Sequence, residues 1–128
     1  MTLLLDTHAF VWWVGSDPRL STTAREAIAN ETSAILVSVA TAWEIAIKVG
    51  QGRWPEAASL IARFEDVLVQ ESFEALPIAI STVRMAGLMQ SPHKDPFDRL
   101  IVAQAIEQGL TIVSKDWQLE LLGAKILC

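Results

Sequence analysis

Carboxylates set inside apolar sequence limit the folds open to this chain more than any other feature. Asp6 follows Leu3-Leu4-Leu5, Glu44 lies within Val39-Ala-Thr-Ala-Trp-Glu-Ile-Ala-Ile47, and Asp95 and Asp98 open the apolar run Pro96 to Ala105. Asp116 comes two residues after Thr111-Ile-Val-Ser114. A lone buried carboxylate costs several kcal/mol unless a positive group meets it. A fold for this sequence must pair each acid separately or gather them around something positive, and a divalent metal ion would meet them all at once.

Short apolar runs alternate with helix signals along the chain. Leu3 to Leu5, Ala34 to Val37, Phe73 to Ile78, Thr111 to Ser114 and Lys125 to Leu127 read as strands. Between them, helices are expected over Thr7 to Val14, from Ser21 or Thr23 onward, and over about Val39 to Val49. Further helices are expected over about 56 to 70, Ser81 to Gln90, Pro96 to Gln108 and, briefly, Trp117 to Leu122. Such alternation predicts an α/β fold with a largely parallel sheet covered on both faces, in which ligands bind at the carboxyl ends of the strands. Nothing in residues 1–128 resembles a linker, repeat or low-complexity tract, so one domain over the full 128 residues is expected.

Composition narrows the function. The net charge of -5 is the opposite of what a protein gripping nucleic acid by bulk positive charge would carry, but it leaves open a nuclease whose metal supplies that charge. A single cysteine, Cys128, points to a reducing compartment, and the cytoplasm is the expected location. The longest uncharged stretch, Thr32 to Trp43, is 12 residues, short of the ~20 that span a bilayer, so no membrane is expected. With 52% hydrophobic residues and five Trp, some apolar surface is expected to be covered by a partner. Adjacent Trp12 and Trp13 point about 100° apart on a helix, so they serve different surfaces, whether core or interface.

Each acid has two readings. Asp6 and Asp116 lie just beyond strands, on the ligand-binding edge of a parallel sheet, yet each also suits the cap of the next helix. Glu44 sits in a helix apolar on nearly every side, facing a polar site or pairing with Lys48 at i,i+4 spacing. Asp95-Pro96 has the form of an N-cap followed by an N1 proline, which places Asp98 at N3, further into the helix. His8, on a helix with Phe10, Trp12 and Trp13, reads as packed or locally hydrogen-bonded, since the other candidates are all oxygen ligands.

Together, Leu-Leu-Leu-Asp6-Thr-His, Trp43-Glu-Ile-Ala-Ile-Lys48, and His93-Lys-Asp-Pro-Phe-Asp-Arg-Leu-Ile-Val-Ala-Gln-Ala105, with Ser114-Lys-Asp116, resemble the PIN domain. The chain looks like the VapC-type ribonuclease toxins of bacterial toxin-antitoxin pairs, over 1 to 128. The resemblance implies a three-layer α/β/α sandwich and a catalytic cluster of Asp6, Glu44, Asp98 and Asp116 binding one or two Mg²⁺ or Mn²⁺ ions. It further implies RNA as substrate, usually single-stranded but also structured, a homodimer, and a cognate antitoxin that covers the site. Many members carry Thr at the position of Ser114, which retains the hydroxyl.

Lys48, Arg53, His93, Lys94, Arg99 and Lys115 are candidate phosphate contacts, with Ser114 beside them. A haloacid-dehalogenase-type phosphatase also opens on a strand ending in Asp, but it needs a second Asp where this chain has His8. A response-regulator receiver domain needs adjacent acids after the first strand and a mid-chain acceptor Asp, and neither is present. The remaining alternative is a PIN-like module that binds RNA or protein without cleaving.

Overall fold

The computed structural model describes residues 1–128, with five strands in one sheet ordered β3-β2-β1-β4-β5. The chain runs β1 (Thr2–Leu5), α1 (Thr7–Val14), α2 (Thr22–Ala29), β2 (Ala34–Ser38) and α3 (Val39–Gly50). A 3₁₀ turn at Pro55–Ala57 leads to α4 (Ala58–Ala62), α5 (Phe64–Glu71), β3 (Glu74–Leu76), α6 (Ile80–Leu88) and α7 (Pro96–Gln108). Then come β4 (Thr111–Val113), a 3₁₀ helix at Trp117–Leu122, and β5 (Lys125–Leu127). Every neighbouring strand pair is parallel, so the sheet expected to be largely parallel is wholly so.

Three consecutive leucines build the middle of the fold. Side chains alternate across a strand, so Leu3 and Leu5 enter one core with Phe10, Ile28, Ile45 and Phe64. Leu4 enters the other, with Ile101, Val102, Ala103 and Leu119. Helices therefore cover both faces, giving the three layers. All three leucines are fully buried, as expected of a central parallel strand.

The strand order sets where a site can form. From β1 the chain moves outward to β2 and β3, then returns across the sheet to β4 on the other side of β1. The connections leaving β1 and β4 diverge, opening a crevice at the carboxyl ends of those two strands. The Asp6 N–H donates to the Val113 carbonyl at 3.1 Å, holding the mouth of that crevice together.

Helix boundaries are set by their caps. Ser21, rather than Thr23, caps α2 by accepting the Ala24 N–H at 3.0 Å. Asp95 caps α7 through the N–H groups of Phe97 and Asp98, at 2.9 and 3.0 Å, and Gly109 ends it in the left-handed conformation, φ 66°. The helix expected over about 56 to 70 is instead three pieces, broken at Arg63, whose backbone leaves the helical range. The break lets Phe64, Val67 and Leu68 turn onto the core. Strand β3 is shorter than the expected Phe73 to Ile78, since Pro77 cannot donate to the ladder. No helix is long and apolar enough to cross a membrane.

Because Asp95 is exposed and its carboxylate is occupied with capping, its contribution is to stability. Asp95→Ala should lower unfolding free energy by about 1 kcal/mol in urea denaturation, and Asp95→Asn should recover most of the loss.

Candidate active site

Each acid reaches the crevice by a different local route. Asp6 lies just past β1 and Asp116 just past the turn after β4. Both cap the helix that begins there: Asp6 accepts the Ala9 N–H at 2.8 Å, Asp116 the Gln118 N–H at 2.9 Å. The capping and site readings are thus compatible, since an Asp carboxylate has an oxygen to spare. Glu44 reaches in from α3, and Asp98 from the first turn of α7.

All four lie at the carboxyl edge of the sheet, but only Asp98 and Asp116, with His93, bring ligand atoms within mutual reach of one ion, and Asp6 and Glu44 stand outside that group. The Glu44 and Asp116 carboxylates lie close enough to Asp6 to act on its charge, and Glu44 acts likewise on Asp98. Ligand atoms of His93, Asp98 and Asp116 all lie within 4.8 Å of one another. Burial pushes the Asp6 carboxyl from its ordinary 3.8 up to about 6; the Ser114 hydroxyl and Ala9 N–H oppose this, and the Glu44 and Asp116 charges add to it. Burial likewise raises Asp98 to about 6, against the hydrogen bond from His93 and with added repulsion from Asp95 and Glu44.

Supporting groups hold these carboxylates in place. Glu44, 5% exposed, accepts the Thr7 hydroxyl at 2.7 Å on Oε1 and the Lys48 ammonium at 2.7 Å on Oε2, so the expected ion pair forms inside the site. Thr41 adds a hydroxyl contact to Thr7 at 3.2 Å. His93 Nε2 lies 2.8 Å from Asp98 Oδ2. Sequence reasoning missed Thr7 and Thr41 and read His93 only as a phosphate contact. The signals were present: Thr7 adjoins Asp6, and His93 stands five residues before Asp98 across a capped turn.

Arg99 and Ser114, like Lys48 and His93, are engaged by the protein's own groups. Arg99 Nε, Nη1 and Nη2 donate to the carbonyls of His93, Ala86 and Ser91 at 2.9, 3.2 and 3.1 Å, so its guanidinium clasps the loop between α6 and α7. Ser114 is 2% exposed, and its hydroxyl accepts the Asp116 N–H at 2.9 Å while lowering Asp6, so it spaces two acids and does not reach solvent. Lys94 is exposed and lines a groove between α6 and α7 with Arg99 and Pro96. Exposed Arg53 bonds Gln51 at 3.1 Å. Lys115, by contrast, lines a cleft with Asp6, His8, Trp12 and Asp116.

The donor set fits a hard divalent cation: clustered carboxylate oxygens, two of them held well above the ordinary carboxylate range by burial. His93 is the one nitrogen among them. Without metal, between pH about 4 and 6 the folded chain keeps a proton on Asp6 that the unfolded chain has released, so stability falls as pH rises through that window. Asp6→Asn keeps the cap and removes the charge. In chelator it should be more stable than the parent at pH 7, by up to roughly 3 kcal/mol, with the gap closing towards pH 4 in denaturant titrations.

Residues 3–125 match the family model described as PIN domain. Ribonuclease VapC22 of Mycobacterium tuberculosis is 34% identical over 118 residues, 92% of this chain and 89% of that protein. Among solved structures, VapBC2 from Rickettsia felis bound to a DNA fragment from its promoter superposes with a TM-score of 0.71 at 16% identity, covering 99% of this chain and 98% of that one. FitAcB from Neisseria gonorrhoeae gives 0.65 at 17% identity, covering 98% and 96%. With its all-parallel sheet and its acids at the switch point, the chain belongs to the PIN domain family, among proteins of the VapC type.

Proposed function

We propose that this chain is a Mg²⁺- or Mn²⁺-dependent endoribonuclease, the toxin of a toxin-antitoxin pair acting in the cytoplasm. The observation that carries this reading is the convergence of Asp6, Glu44, Asp98 and Asp116 at the crevice beside β1 and β4. It is supported by the likeness to a protein named as a ribonuclease and by structural neighbours that are VapBC complexes.

Asp6 and Asp98 are the primary ligands in this reading, and Glu44 and Asp116 complete the set directly or through water, for one ion or two. A bound divalent cation would neutralise charge developing on the phosphodiester and bring hydration water as nucleophile. The chain's own residues do the positioning. Ser114 fixes the spacing of Asp6 and Asp116, Thr7 and Lys48 fix the Glu44 carboxylate, and His93 orients Asp98. Lys115, at the cleft and outside any ion pair, offers the RNA backbone a positive contact.

The antitoxin and a second copy of the chain are the proposed partners. Exposed apolar side chains support this: Val39 and Trp43 on α3, and Ile80, Val83 and Leu88 on α6.

Asp6→Asn and Asp98→Asn should each reduce cleavage of single-stranded RNA in Mg²⁺ or Mn²⁺ by at least 100-fold, on the order expected when a charge-stabilising contact to the reacting phosphate is lost. Cleavage near the parent rate would overturn the ligand assignment. A non-cleaving module is distinguished by calorimetry, in which the parent should bind Mn²⁺ and Asp98→Asn should not. Light scattering should give twice the chain mass at micromolar concentration.

A further inference from the structure

His8, Trp12 and Trp54 form a shelf beside the acidic cleft that the ribonuclease reading leaves without a role. His8 is exposed on α1, one turn before Trp12, and its ring lies 5.6 Å from Trp12 and 5.5 Å from Trp54, tilted by 49° and 34°. His8 and Trp12 line a cleft of about 320 Å³ together with Asp6, Lys115 and Asp116. Three cations stand over the indoles: Arg19 at 5.3 Å and Lys115 at 5.6 Å from Trp12, and Lys48 at 5.5 Å from Trp54.

Trp12, Trp13 and Trp54 all rest, half-buried, against the same core, and Trp13 has its ring and its N–H both engaged there. It packs 6.3 Å from Phe73 and donates its Nε1–H to Glu71 at 3.2 Å. Trp12 packs against that core and in addition forms part of the wall of a cleft that holds two of the acids. The volume is at the low end of small-ligand sites, of the order of a single nucleotide and far from that of a folded RNA element.

We propose that this shelf stacks one base of single-stranded RNA next to the phosphate held at the acidic cluster; this rests on the ribonuclease reading above. Flat aromatic faces flanked by cations are the chemistry by which proteins hold unpaired bases without reading a particular sequence. A nucleotide satisfies both halves of the cleft, its neutral base on the rings and its phosphate toward Lys115 and the metal ligands. An acidic peptide would be repelled by Asp6 and Asp116, and a cationic one by Arg19, Lys48 and Lys115. A base within a duplex is stacked on its neighbours and is not available to the shelf.

The test is a binding walk. Fluorescein-labelled RNA hexamers, each with a single abasic nucleotide at a different position, are titrated by anisotropy against the parent chain in Ca²⁺, a hard cation able to fill the acidic cluster, with a parallel gel showing that the hexamers stay intact. One position should weaken binding roughly tenfold or more when its base is removed. Trp12→Leu should cost intact RNA a similar factor and erase the effect at that position, while Trp12→Phe should preserve it. His8→Ala alters an exposed side chain and should reduce the same effect without unfolding the protein.

An equal response at every position would overturn the shelf, as would an undiminished response in both Trp12→Leu and His8→Ala. Binding that responds to salt but to no base would mean that the cleft reads backbone charge alone, and the absence of RNA binding would likewise overturn stacking. Failure of the ribonuclease reading appears separately, as a parent protein that leaves RNA uncut in Mg²⁺ and Mn²⁺, and it does not alter the outcome of the walk.

Discussion

Strand β1 is paired on both edges, with β2 and with β4, and everything at the site depends on that double pairing. The parallel register sets Leu5 beside Val113, so the residues that leave both strands do so at the same level of the sheet. Asp6 and Asp116 emerge together for that reason, although they are far apart in sequence. A slip of one residue would turn Leu3 and Leu5 to the wrong core and take Asp6 out of the crevice. Fold and site are thus fixed by one register.

Gathering acids at such an edge creates a local problem that the surrounding shell reduces without removing. Hydroxyls from Thr7 and Ser114, the Lys48 ammonium and the His93 ring each engage one carboxylate. Asp6 and Asp98 still sit well above the ordinary aspartate range because burial outweighs those contacts. The supports come from α1, α3, the loop before α7 and the end of β4, so the site is built by tertiary packing.

Much of this was legible in the sequence because it rests on local rules. The Asp95-Pro96 cap, the Gly109 stop and the alternation of strands and helices arise from backbone chemistry over a few residues, and α7 spans the expected residues. Glu44 stood out because a carboxylate in an apolar helix needs a reason. Its two readings are both true, since it pairs with Lys48 while facing the other acids. Arg99 was not legible. Its three acceptors are carbonyls at positions 86, 91 and 93, whose approach depends on how the loop folds, and no residue type announces a carbonyl. The break at Arg63 was hidden for a similar reason, because the residues around it suit a continuous helix and only the shape of the core requires the turn.

One contact away from the crevice bears on how it is held. Trp43 and Phe97 meet edge to face, with centroids 5.0 Å apart, and each immediately precedes an acid of the cluster, Glu44 and Asp98. The ring pair therefore locks α3 to α7 one residue from each carboxylate, while Trp43 keeps 54% of its surface open to solvent. The same indole is both a handle on the outside of the molecule and a spacer between two acids. A molecule laid over that indole would cover, in the same act, the seam where α3 meets α7.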